Sequence, residues 1–254
     1  MQTILTCLAI WATSSVAIGQ ENNNEDLRAG GDEHKRFFQI GAKDKKPPRD
    51  GYKLLLVMPG GSGSADFNPF VRRIQENAAG DYYLVAQLVA PVWDERQAKT
   101  LVWPTKEDPW KGKKFDTSTY MEAVIEEVTS NHKIDRQHIY ALGWSSAGPP
   151  IHGYMLNKKT RLTGALVAMS VFWPKKLPSL KPARDRAYYL LQSPEDEITT
   201  FDHAEKAIEL LTRAKAKAKL VEYAGGHGWH GDMFGNIRDG LAWLEQNHSK
   251  PLKR

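Results

Sequence analysis

Apolar residues along this chain gather in short unbroken runs, separated by longer stretches in which they recur every three or four positions. Leu54-Leu55-Leu56-Val57-Met58, His138-Ile139-Tyr140-Ala141-Leu142 and Tyr188-Tyr189-Leu190-Leu191 are too short for helices and too continuous for strands with one wet face, so they predict strands covered on both sides. With weaker candidates added, strands are predicted near 36–40, 53–58, 83–90, 138–143, 164–171, 187–192 and 219–224, and helices near 67–78, 119–131, 146–157, 202–217 and 232–247. In 119–131, Tyr120, Val124, Ile125 and Val128 share one face, and Thr119 with Glu122 fits a capping box. Strands alternating with helices predict an α/β fold: a mostly parallel central sheet with helices on both faces.

The segments outside this alternation set the domain boundaries. Residues 1–20 carry no charged side chain, contain a short apolar stretch and end in small residues near Ala17 and Gly19, the pattern of a cleaved secretory signal without its basic start. A retained anchor is the lesser alternative, because Thr and Ser interrupt the apolar stretch, and stable membrane insertion is not expected. Export to the periplasm or the exterior follows as an expectation. The single cysteine, Cys7, falls inside this signal, which leaves the mature chain without disulfides. Residues 21–35 are polar and charged and are expected to form a mobile, disordered linker, with 36–254 as one domain.

Charge changes this picture little. The net charge of +5 comes from scattered clusters such as Lys111-Gly112-Lys113-Lys114 and Arg213 through Lys219. For 213–219 a solvated helix face is the expected role, since Leu210, Leu211 and Ala214 supply its apolar side. No nucleic-acid motif accompanies the lysines, and no nucleic-acid partner is expected.

The chemistry concentrates in four loops, each following a predicted strand. Gly143-Trp144-Ser145-Ser146-Ala147-Gly148 sits between a strand and a helix, where a sharp turn projects a serine hydroxyl out of the backbone. Around Ser145 the tight minus-two place is Gly143 and the plus-two place Ala147; around Ser146 the minus-two place would hold Trp144, so Ser145 is the expected nucleophile. Serine needs a base, and Gly225-Gly226-His227-Gly228-Trp229-His230 offers His227, with His230 as the rival. A metal site from His227, His230 and Asp232 is a weaker reading, because the spacing matches no recognisable zinc motif. Between serine and histidine, Ser193-Pro194-Glu195-Asp196 offers Asp196 to orient the imidazole, with Glu195 as the rival and Ile198 expected to anchor the loop. The oxyanion donors are expected among the amides of Gly61 or Ser62, in Pro59-Gly60-Gly61-Ser62-Gly63-Ser64, together with the amide of Ser146.

From Tyr52 to Leu244 the chain resembles the α/β-hydrolase superfamily, and within it small secreted or periplasmic esterases of the carboxylesterase, feruloyl-esterase and polyhydroxybutyrate-depolymerase kind. The glycine loop after the early strand, GWSSAG, the SPED loop and GGHGW, in the order Ser, Asp, His, carry the resemblance. It implies acyl-bond hydrolysis without a cofactor, on a small-molecule or polysaccharide-linked ester. A serine peptidase on the same fold, and a non-catalytic binding protein that keeps the fold, are the alternatives. For substrate contact, Trp144 and Trp229 flank expected catalytic residues, and Trp103 and Trp110 lie in the irregular stretch 93–115, expected to form a wall or lid over the serine.

Overall fold

The buried runs become the centre of one eight-stranded sheet in the computed structural model, which describes residues 24–41 and 46–248. The strands are β1 (Asn24–Arg28), β2 (Arg36–Ile40), β3 (Tyr52–Met58), β4 (Tyr83–Leu88), β5 (Ile134–Trp144), β6 (Gly164–Ala168), β7 (Ala187–Gln192) and β8 (Lys217–Glu222). Their spatial order is β1-β2-β4-β3-β5-β6-β7-β8. The pairs from β4 to β8 are parallel, while β1 with β2 and β2 with β4 are antiparallel.

Alternation along β3 shows why its sequence is apolar throughout. Leu54, Leu56 and Met58 point to one face and Leu55 and Val57 to the other, and all are fully buried. The first face is covered by α3 (Thr117–Asn131), α4 (Gly148–Met155) and α5 (Phe201–Arg213), through residues such as Tyr120, Val124, Ile151 and Leu211. The second is covered by α1 (Asn68–Ile74) and α6 (Met233–Asn247), through Val71, Ile74, Ile237, Leu241 and Leu244. A sixth helix, α2 (Glu95–Thr100), lies within the irregular stretch. Among the described residues no helix is long and apolar enough to cross a membrane.

Three expectations change. Residues 24–35, expected as linker, instead form β1 and a turn into β2, so the domain starts before residue 36; Asp26 takes ion pairs from Arg28 and Arg36 that hold this polar edge together. The helix expected to run to 217 stops at Arg213, because Lys215 adopts a left-handed φ of 64°, and Lys217 already begins β8. The capping box expected of Thr119 and Glu122 is replaced by a cap one turn earlier: the Asp116 carboxylate accepts the Thr119 amide at 2.7 Å. The expected signal, residues 1–20, lies outside the described residues.

Chain order reverses at β3, which has β4 on one side and β5 on the other. Loops leaving the carboxyl ends of neighbouring strands diverge at such a point and leave a crevice. Both the Pro59–Ser64 loop and the serine turn open there.

Candidate active site

Ser145 follows the last residue of β5 and takes a φ of 53°. A left-handed serine is strained, and the cost is met because its surroundings leave no room for relaxation. A Cβ on Gly143 would lie 2.3 Å from Ile151 Cδ1 and 3.1 Å from the Ala147 methyl, so glycine at the minus-two place is what admits alanine at plus two. The next residue, Gly148, passes under Ser170, whose hydroxyl donates to the Ser145 carbonyl and so fixes the strained peptide from below. Sequence reasoning missed Ser170, for nothing in its neighbourhood marks it.

The structure brings Ser145, His227 and Asp196 together from three loops. His227 Nε2 lies 3.1 Å from Ser145 Oγ, and His227 Nδ1 lies 2.9 Å from Asp196 Oδ2 and 3.1 Å from Oδ1. The histidine loop is held by amides: Gly226 donates to Ser193 Oγ and Gly225 to the Glu195 carboxylate. Glu195, the rival acid, therefore ties the loop instead of orienting the imidazole. His230, the rival base, is exposed and packs beside Gly225, and Asp232 caps α6 by accepting the Gly235 amide at 2.9 Å.

Asp196 is buried, and its acceptor sites are filled. Besides His227 it receives the amides of Ile198 and Thr199, the Thr199 hydroxyl and the Gln192 side-chain amide, at 2.7–2.9 Å. The anchor expected of Ile198 is not made, because that side chain is 71% exposed; the carboxylate itself organises the loop. Burial alone would push the Asp196 carboxyl upward, but the Thr199 amide, His227, the Thr199 hydroxyl and the Ile198 amide outweigh it and hold it below its ordinary value. A carboxyl with a lowered folded pKa adds stability above its unfolded pKa, and that contribution is lost as pH falls through the folded value. The stability gap between wild type and Asp196→Asn should therefore be full at neutral pH and narrow below about pH 4, as urea melts at stepped pH would read.

The side where the oxyanion donors are expected is built by close contact between loops. A Cβ on Gly60 would meet the Trp144 carbonyl at 2.8 Å and Ser145 Cβ at 2.9 Å, so only glycine lets the Pro59–Ser64 loop lie against the serine turn. The Ser146 hydroxyl donates to the Gly61 carbonyl at 3.2 Å, and Ser146 is the second residue of the helical turn Ser145–Ala147, in the first turn, where amides lack an intrahelical acceptor. Gly61 and Ser62 thus stand beside the serine turn as donor candidates, with Ser146 on the turn itself.

The four tryptophans separate. Trp144 is buried and meets Phe67, Phe70 and Trp229 at ring separations of 5.6–5.8 Å, in the core of the α1 and α6 face. Trp103, also buried, donates from Nε1 to the Pro59 carbonyl at 2.9 Å, so it braces the glycine loop. Trp110 is half-buried, with the Arg96 guanidinium 5.8 Å from its ring centre. Trp103→Ala is accordingly expected to cost about 3–5 kcal/mol by urea unfolding, whereas Trp110→Ala should cost under about 1 kcal/mol.

A cavity of about 570 Å³ opens on the Ser146 side of the turn, walled by parts of 100–108, by α4 and by 171–178. Trp103 lines it; Trp110, Trp144 and Trp229 do not, nor do Ser145 and His227. Trp173, which the sequence did not single out, stands on the lining, 43% exposed, with Lys176 over its ring at 4.6 Å.

No protein-family model and no curated protein sequence matches the chain. Solved structures do. A Bacillus cereus carboxylesterase superposes with a TM-score of 0.60 at 16% identity, over 83% of this chain and 93% of that one. A Mesorhizobium loti carboxylesterase gives 0.63 at 17%, over 87% and 99%. Thermogutta terrifontis esterase 2 phosphorylated by paraoxon gives 0.64 at 14%, over 88% and 92%. At such identities the likeness speaks for architecture, and together with the mostly parallel sheet it establishes that this chain has the α/β-hydrolase fold.

Proposed function

We propose that this protein is an exported serine hydrolase that cleaves carboxylic esters through an acyl-enzyme. The observation that carries the reading is the continuous hydrogen-bond path from Ser145 Oγ to His227 Nε2 at 3.1 Å, and from His227 Nδ1 to Asp196 at 2.9 Å. As Ser145 Oγ bonds to the ester carbonyl carbon, His227 Nε2 takes its proton, and Asp196 stabilises the imidazolium. The oxyanion is met by the amide of Ser146 and by that of Gly61 or Ser62. Collapse of the intermediate breaks the ester C–O bond, and the departing alkoxide receives the proton from His227. Water then attacks the acyl carbon by the same route and frees Ser145. These steps use side chains and amides of the chain together with one water molecule, and the substrate is a small-molecule or polysaccharide-linked ester. Export is supported by the uncharged, small-residue-terminated stretch 1–20.

The substrate class is tested by turnover of purified protein on acetyl, feruloyl and longer acyl esters beside matched peptide amides. Ester hydrolysis is expected. Faster cleavage of the amides would replace this reading with a peptidase.

A further inference from the structure

The nucleophile and the acid stand on loops that leave β5 and β7, and β6 lies between those two strands. Two buried side chains cross the gap. Just past β6 the chain turns through Met169, a buried residue with a left-handed φ of 40°, and then reaches Ser170. The Ser170 hydroxyl donates to the Ser145 carbonyl, and the Ser170 amide donates at 3.1 Å to Oε1 of Gln192, the last residue of β7. Gln192 Nε2 in turn donates to Asp196 Oδ2 at 2.9 Å and to the Thr199 carbonyl at 2.6 Å. His227 completes the path from Asp196 to Ser145 Oγ, so the bonds form a ring that enters the nucleophile through its side chain and leaves through its backbone.

The ring fixes Gln192 at both polar atoms of its side chain. Turned over, the amide would set its oxygen against the Asp196 carboxylate and the Thr199 carbonyl, and its NH₂ group against the Ser170 amide, so the network admits one orientation. Gln192, Ser170, Asp196 and Thr199 are all buried, where a donor to a carboxylate is among the stronger hydrogen bonds and an unpaired one is costly. The other donors to Asp196 besides His227, on Ile198 and Thr199, belong to its own loop and hold the carboxylate relative to that loop. Gln192 is what ties it across β6 to the serine turn. Displacing a catalytic group by about 1 Å can cost about a hundredfold in rate, so this tie bears on the chemistry although Gln192 meets neither Ser145 Oγ nor the cavity of about 570 Å³.

Resting on the serine-hydrolase reading for the chemistry, we propose that Gln192 is a positioning residue: through Ser170 it holds Asp196 in register with the Ser145 turn, and so aligns His227 with the nucleophile. Gln192→Met keeps the length of the side chain and removes its hydrogen bonds. It should lower kcat about ten- to a hundredfold, with KM within about twofold of wild type because Gln192 does not border the cavity. Ser170→Ala weakens the same path at its other end, so the double variant should lose little more than the more impaired single variant. The alignment is also read without turnover, from the proton NMR resonance of the His227 Nδ1–H group that donates to Asp196, which should shift in Gln192→Met. An unmoved resonance in folded Gln192→Met, or losses of the two single variants that multiply in the double variant, would overturn the inference and leave ester hydrolysis standing. A shifted resonance in a protein that hydrolyses no ester would uphold the positioning role and remove the serine-hydrolase reading instead. Should Gln192→Met not fold, Gln192→Asn, one methylene too short to join Ser170 to Asp196, decides by the same readouts: a lowered kcat with a shifted resonance supports the inference, and wild-type values of both overturn it.

Discussion

Ser145→Ala should abolish ester hydrolysis, lowering kcat by on the order of 10⁴- to 10⁶-fold, with the fold intact. Among the described residues, the side chain removed is the one hydrogen-bonded to His227 Nε2, at 3.1 Å. Folding should survive because alanine keeps the Cβ, and the Ser145 carbonyl still receives the Ser170 hydroxyl that steadies the turn. Ser146→Ala provides the contrast: its backbone amide stays in place and only the bond to the Gly61 carbonyl is lost, so most activity should remain. Steady-state kinetics beside a circular-dichroism melt reads both variants. Undiminished turnover by a folded Ser145→Ala protein would end the nucleophile assignment.

The next largest effect is expected from Asp196→Asn. An amide nitrogen facing His227 Nδ1 donates where the carboxylate accepted, which forces the imidazole proton onto Nε2 and removes the lone pair that Ser145 needs. A loss of about 10³- to 10⁴-fold in kcat follows. Stability should fall as well. Ile198, Thr199 and Gln192 all donate to this carboxylate, and an asparagine leaves at least one buried donor facing an NH₂ group, at about 1–3 kcal/mol. Glu195→Gln should do neither, since Glu195 is exposed and bonds only a loop amide. Kinetics within tenfold of wild type for Asp196→Asn would return the orienting role to another group.

How much of this was legible in the sequence depended on whether chemistry or packing set the residue. Ser145, Asp196 and His227 could be picked out because a nucleophile, an acid and a base must each stand on a loop after a strand, in workable order, whatever surrounds them. The Asp196 loop is nonetheless held by something other than the expected anchor: Ile198 points outward, and the hydrogen bonds that hold the loop leave no mark in a single sequence. β1 was hidden because Asn24-Glu25-Asp26-Leu27-Arg28 pairs at a sheet edge through backbone bonds and ion pairs, with almost no apolar signal. α2 was hidden by its length of six residues among prolines and tryptophans. Nearness in sequence to the expected catalytic residues is a poor guide for the tryptophans, since strand alternation turns Trp144 toward the face opposite the cavity.

The central claim is that Ser145 is a nucleophile activated by His227. Incubating the purified protein with a fluorophosphonate and mapping the adduct by mass spectrometry tests it most directly. One adduct per chain is expected, on Ser145, and it should fail to form in His227→Ala. A folded protein that takes up no label, or takes it up on Ser146 with equal speed in the presence and absence of His227, would contradict it.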